Sequence, residues 1–187
     1  MRSAPEDFVV EELPALTPDG EGEHDWLWVR KRGANTEWLA TALARFAGVS
    51  ARDVGYAGRK DRHALTTQAF TVYLPGRPSP DWSQLGLPGV TVLSQQRHRR
   101  KLKRGALKGN HFQLRLRQVS GDPAAFAAVL AQVQQRGVPN YFGEQRFGRG
   151  GDNLARAEMM FSGPRMRRQE RELLISAARS AVFNAVL

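Results

Sequence analysis

The stretch VGYAGRKDRHALTTQAFTV, running from Val54 to Val72, sets one carboxylate, Asp61, among Arg59, Lys60, Arg62 and His63. Two kinds of chemistry fit that pattern. An aspartate surrounded by cations is often a surface ion pair. A carboxylate nucleophile must be ionised at neutral pH, and nearby positive charge favours the ionised form. Composition around Asp61 leaves both readings open. Gly55 and Gly58 would allow tight backbone turns beside a bulky substrate. Other chemistries are excluded more directly. The chain has no cysteine, so thiolate sites and disulfides are absent, and its four histidines, His24, His63, His98 and His111, lack the spacing of a zinc protease motif. GRGG at 148–151 lacks the Lys-Ser/Thr of a phosphate-binding loop, which argues against an NTPase.

A net charge of +10 is concentrated rather than spread. RHRRKLKRGALK, from Arg97 to Lys108, holds seven cations and no acid, among them Arg99, Arg100, Lys101, Lys103, Arg104 and Lys108. PRMRRQER, from Pro164 to Arg171, adds further arginines. Such patches bind polyanions through salt-sensitive phosphate contacts. Their cations are not interleaved with large apolar residues on one helical face, so an anionic membrane is not the expected partner. The opening MRSAPEDFVV has no apolar signal core, and no apolar run approaches the roughly 18 residues needed to cross a bilayer. A cytoplasmic protein is expected.

The 187 residues, 41% apolar and 25% charged, suit a folded domain with a real core. DFVVEEL and DWLWVRK read as two strands joined by TPDGEGEH into an opening hairpin or meander. Asn35 or Thr36 caps a helix with apolar Leu39, Leu43 and Phe46, stopped at Gly48, and Trp38 is expected to anchor it to the core. Ser50 and Asp53 form a capping-box pattern before the strand-like VGYAG. A polar loop, 59–67, then carries Asp61 into the strand QAFTVYL. The Pro- and Gly-rich stretch 75–89 is a surface connection before the strand VTVLSQQRH. In NHFQLRLRQV, Phe112, Leu114 and Leu116 alternate with Gln113, Arg115 and Arg117, which predicts one buried and one cationic face. Asp122 caps a helix from Pro123 to Arg136 that Gly137 stops. Another helix starts at Asp152 or Asn153. A last one runs from about Arg168 to Leu187, with the apolar stripe Leu174, Ala177, Ala178, Ala181, Val182 and Ala185 still running. The chain therefore reads as truncated within that helix.

Phe8, Phe112, Tyr141 and Phe142 could stack on unpaired bases, although a Phe on an alternating strand is more often core. Asn110 could hydrogen-bond a base edge or simply serve a turn after Gly109. PEDFVVEE, PDGEGEH, VGYAGRKDRHALTTQ, RGALKGNHFQLRLR, VPNYFGEQRFGRGGDN and LLISAARSAVFNAVL occur in an order and spacing that resemble the TruD family of pseudouridine synthases, over about Pro5 to Leu187. The resemblance implies a cofactor-free isomerase that converts uridine 13 in the D arm of transfer RNA to pseudouridine. By the same resemblance Asp61 matches the catalytic aspartate, and Phe8, Asn110 and Phe112 match residues around the flipped uridine. Lys60 stands beside the nucleophile, and Arg2 falls where the family has a basic residue. The fold implied is α+β: a partial catalytic domain, residues 1–187 being its N-terminal portion, with a mixed, mostly antiparallel sheet flanked by helices. Association with the missing C-terminal portion is expected. A different class of function, a non-catalytic RNA-binding fragment or RNA chaperone, would share the basic surface without turnover.

Overall fold

A computed structural model describes residues 3–163 and 166–187. In chain order these form β1 (Phe8–Pro14), β2 (His24–Arg32), α1 (Thr36–Ala47), β3 (Val54–Tyr56), β4 (Leu65–Tyr73), β5 (Val90–His98), β6 (Leu107–Leu114), α2 (Pro123–Arg136), α3 (Asp152–Ser162) and α4 (Arg168–Val186). The chain divides into two compact units, Met1–Ser120 and Gly121–Leu187.

The first unit is a mixed sheet with the order β5-β2-β4-β1-β6, and β3 also pairs with β4. Every pairing is antiparallel except β1 with β4. The expected opening hairpin does not form, because β4 lies between β1 and β2. Nine residues separate those two strands, too many for a tight turn, and β4, buried along nearly its whole length, is the better central strand. Since β2 pairs with β4 from Leu65 to Tyr73, β1 and β3 must share the other edge. There β1 takes residues 65–67 and β3 takes 70–72. The Ala69 N–H left between them donates to Glu12 Oε1 at 3.3 Å.

Alternation along the strands sends Leu27, Val29, Phe70 and Val72 to one face, where Leu39 and Leu43 of α1 cover them. Burying each leucine stabilises the unit by roughly 1.5–3 kcal/mol. Asn35 accepts the amides of Glu37 and Trp38, and Gly48 ends the helix at φ 64°, a left-handed conformation natural to glycine. Trp38 does not anchor α1: it is 49% exposed. The buried face comprises Thr36, Leu39, Ala40, Leu43, Ala44 and Ala47, and Trp38 lies one helical step off it. Trp82, inside the Pro- and Gly-rich connection, is by contrast buried against Phe46 and donates to Asp25 Oδ2 at 2.7 Å.

Strand boundaries differ from the sequence reading, most of all at β4 and β6, the latter beginning at Leu107 rather than Asn110. β4 begins three residues early, since Leu65, Thr66 and Thr67 pair with both neighbours. β6 ends at Leu114, opposite Phe8, the first residue of β1; beyond it the chain stays tied to the 3-10 turn Pro5–Asp7, since Arg115 donates its amide to Asp7 O at 2.8 Å and Arg117 pairs with the Asp7 carboxylate. Phe112 and Leu114 are exposed, as is Leu116 beyond the strand, so the expected buried face is open. Their alternation is as read, but within this unit α1 packs over β2 and β4.

In the second unit α3 and α4 pack together around Ala157, Leu174 and Ala177. Asn184 clamps the backbone of Phe142 with two 2.9 Å hydrogen bonds, and Phe183 meets the Phe142 ring edge-on. α2 has the cap and stop expected of Asp122 and Gly137, and no residue of it is buried. The apolar stripe of α4 is buried at Leu174 and Ala177 and exposed at Val182. Among the described residues no helix is long and apolar enough to cross a membrane.

Candidate active site

Asp61 sits on the loop between β3 and β4, exposed, at a cavity of about 400 Å³. The cavity is also lined by Val10, Arg59, Lys60, Asn110 and Phe112. Larger cavities exist in the second unit, and both include Glu172 beside arginines, Arg168 and Arg171 in one and Arg146 and Arg179 in the other; Glu172 is already paired with Arg168 at 2.9 Å, whereas Asp61 has no ion pair among the described residues. The β1–β6 register explains how residues distant in sequence converge. Glu12 faces Asn110, Val10 faces Phe112 and Phe8 faces Leu114, so all six side chains share one face of the sheet. Phe8 and Phe112 lie parallel, 7° apart, with ring centres at 6.0 Å. Asn110 Oδ1 is buried and has no hydrogen-bond partner among the described residues.

Beneath the loop lies a polar network that composition did not single out. Lys31 is wholly buried, and its ammonium donates to the carbonyls of Ala34 at 2.7 Å and Asp61 at 3.1 Å. Thr36 Oγ1 accepts the Lys60 amide at 3.0 Å, and Gln68 Nε2 donates to Gly58 O at 3.0 Å. Lys60 turns inward to Glu12, with Nζ–Oε2 at 2.5 Å and both side chains almost out of water. The segment Gly58–Asp61 is thus tied down from β1, β2, β4 and the first turn of α1, while the Asp61 carboxylate remains exposed. Alternation was the available signal: residue 31 follows Leu27 and Val29 on the inward face, so its lysine had to be buried. Burial pushes the Lys31 amine down to about 8, with Asp61 opposing that shift and Lys60 adding to it.

The family model described as tRNA pseudouridine synthase D (TruD) matches residues 1–160. The chain belongs to the TruD family. Relatives named tRNA pseudouridine synthase D include proteins of Xanthomonas campestris pv. campestris (52% identical, all of this chain, 54% of the relative) and Methylococcus capsulatus (52%, all of this chain, 53% of the relative). The chain therefore spans about half the length of the curated relatives it matches. The crystal structure of a Methanosarcina mazei protein assigned to TruD superposes with a TM-score of 0.71 at 25% identity, covering 99% of this chain and 46% of that one. The α+β architecture is that of part of a TruD protein.

Against the residues that the TruD resemblance singles out, the structure brings Asp61, Lys60, Asn110 and Phe112 to one cavity, with Phe8 stacked behind Phe112. The Lys60 ammonium is committed to Glu12. Arg2 lies outside the described residues, as does Arg165 of the second basic stretch. The long basic segment is not uniformly free. Arg99 pairs with Glu21, Lys101 donates to Arg52 O, and Arg104 lies over the Tyr56 ring and bonds its hydroxyl at 2.7 Å. Arg100, Lys103 and Lys108 are exposed and have no acid partner among the described residues.

Proposed function

We propose that this chain carries the nucleophile and part of the uridine pocket of a transfer RNA pseudouridine synthase, acting on uridine 13 of the D arm. The supporting observation is the placement of Asp61: an exposed carboxylate on a loop immobilised from beneath, opposite the unpartnered Asn110 acceptor and the Phe112 ring. Asp61 attacks the target nucleoside at C1′ or C6. The bond between N1 and C1′ breaks, uracil rotates, C5 bonds to C1′, the C5 proton leaves as the aspartate is released, and N1 takes up a proton in exchange. Atoms are conserved, so no co-substrate is consumed. Phe112, braced by Phe8, stacks on the extracted base, and Asn110 accepts from its edge. Arg100, Lys103 and Lys108 hold the RNA backbone. Both units are assigned to the N-terminal portion of one catalytic domain.

A second reading, an RNA-binding piece without turnover of its own, is favoured by the open face at Phe112 and Leu114. Single-turnover assay of pseudouridine formation on transfer RNA separates the two. With turnover in hand, Asp61→Asn abolishes it while RNA affinity changes little, because the amide keeps the shape but cannot act as an anionic nucleophile. Retained isomerisation in that variant would overturn the assignment of Asp61. A chain that binds transfer RNA but forms no pseudouridine supports the second reading.

A further inference from the structure

Beside the Asp61 cavity lies a second depression of about 380 Å³, whose wall includes Ala34, Trp38, Pro88, Arg32 and Arg62. Asn35 and Arg62 line both, so the two are neighbours sharing a side. The exposed indole of Trp38 is an unusual surface group for a helix whose other face is well packed. The two guanidinium groups differ. Glu6 neutralises Arg32 at 2.5 Å. Arg62 is exposed, gives its Nε to Gly33 O at 3.3 Å, and has no acid partner among the described residues. An accessible aromatic face next to an unneutralised, backbone-anchored guanidinium matches what an unpaired nucleotide requires, a surface for its base and a cation for its phosphate.

We propose that the Trp38 depression binds the unpaired base of a nucleotide adjacent to the one presented to Asp61, with Arg62 contacting the phosphate between them. The proposal rests on reading the Asp61 cavity as the uridine site. Stacking accepts any base, so this subsite contributes affinity and registers the strand rather than selecting sequence. Shared walls place consecutive nucleotides on either side of Arg62.

The test is tryptophan fluorescence of the whole chain titrated with a single-stranded RNA of about seven nucleotides. Trp26 and Trp82 are buried and Trp28 is half-buried, so the share of the quenching that belongs to Trp38 is read from its loss in Trp38→Phe. The expected result is saturable quenching that Trp38→Phe removes without abolishing binding, read separately by anisotropy of a labelled strand. Trp38→Ala weakens that binding roughly ten-fold, the range for removal of one base stack. Arg62→Gln lowers the log–log salt slope by about one. Unchanged affinity in Trp38→Ala, undiminished quenching in Trp38→Phe, equal quenching by an abasic strand, or no binding of the strand would each overturn the proposal. So would concentration-dependent shielding of Trp38 without RNA, which would assign the ring to a protein contact. Asp61→Asn leaves the quenching intact. Loss of the catalytic reading with quenching preserved, or the reverse, therefore distinguishes failure of one idea from failure of the other.

Discussion

A buried ammonium ordinarily sits against a carboxylate, because neutral acceptors compensate poorly for lost hydration. Lys31 instead bonds backbone carbonyls, one of them belonging to Asp61 itself. The charged groups facing it are Asp61 and Lys60 from the loop, with Glu12 of β1 reached through Lys60, while Thr66 and Gln68 of β4 are uncharged. Its charged form is disfavoured in the folded state, where the amine titrates at about 8 against an ordinary 10.5. Between those values the unfolded chain binds more protons than the folded one, so this group makes stability rise with pH across that window. Denaturant unfolding at a series of pH values checks this: Lys31→Met should flatten the rise and speed hydrogen exchange at the Lys60 amide. A wild-type curve whose Lys31-dependent part falls with pH would contradict the burial. Asp61 was legible from its neighbours in sequence. The residues that fix its loop were not, because they come from three other strands and a helix turn and meet only after folding.

At the scale of elements, the basic segment is a docked loop with two sets of cations. Leu102 donates its amide to Thr71 Oγ1 at 2.9 Å, and Gly105 donates to Ala57 O at 2.7 Å. Gly55 makes the approach feasible, since a Cβ there would stand 2.5 Å from Leu102 O. Neutralising Arg100, Lys103 and Lys108 to Gln should flatten the salt dependence of transfer RNA binding by about one log–log unit for each phosphate no longer neutralised, with thermal stability unchanged. Neutralising Arg99, Lys101 and Arg104 should instead loosen the loop and lower the melting temperature, with a smaller effect on the slope. Equal slopes from the two triple variants would show that the division is not functional. Helices α1 and α2 and strand β5 were readable because caps, stops and periodicity are local properties. Strand order was not, because the β1–β4 pairing joins Val9 to Leu65 across the intervening β2, α1 and β3. Trp38 misled because a large apolar residue in the first turn of an amphipathic helix suggests core, and only the sheet's position shows which face is inward.

For the whole molecule, apolar exposure is the dominant surface property besides charge. Phe112, Leu114, Phe126, Val129, Val182 and Val186 all stand in water, in both units. Contiguous apolar surface promotes association, so sedimentation velocity should show a weight-average coefficient that rises with protein concentration and persists in high salt, which screens the cations but leaves apolar association in place. A constant monomeric coefficient would mean that these residues are too scattered to act together. The position of β4 also bears on how the polypeptide is made. Of the strands described, β1 leaves the ribosome before the others, yet the strands it pairs with, β4 and β6, follow more than fifty positions later. At about 5–20 residues per second, its backbone waits roughly 3–10 s without a partner. β2 waits similarly, and β6, the edge strand that pairs with β1, is the last to emerge. Such non-local pairing places the folding of this unit toward the slow, millisecond-to-second end of the range and leaves an early strand open to capture by chaperones or by other nascent chains. The central strand that holds the site's sheet together also sets the earliest moment at which β1 and β2 can join it.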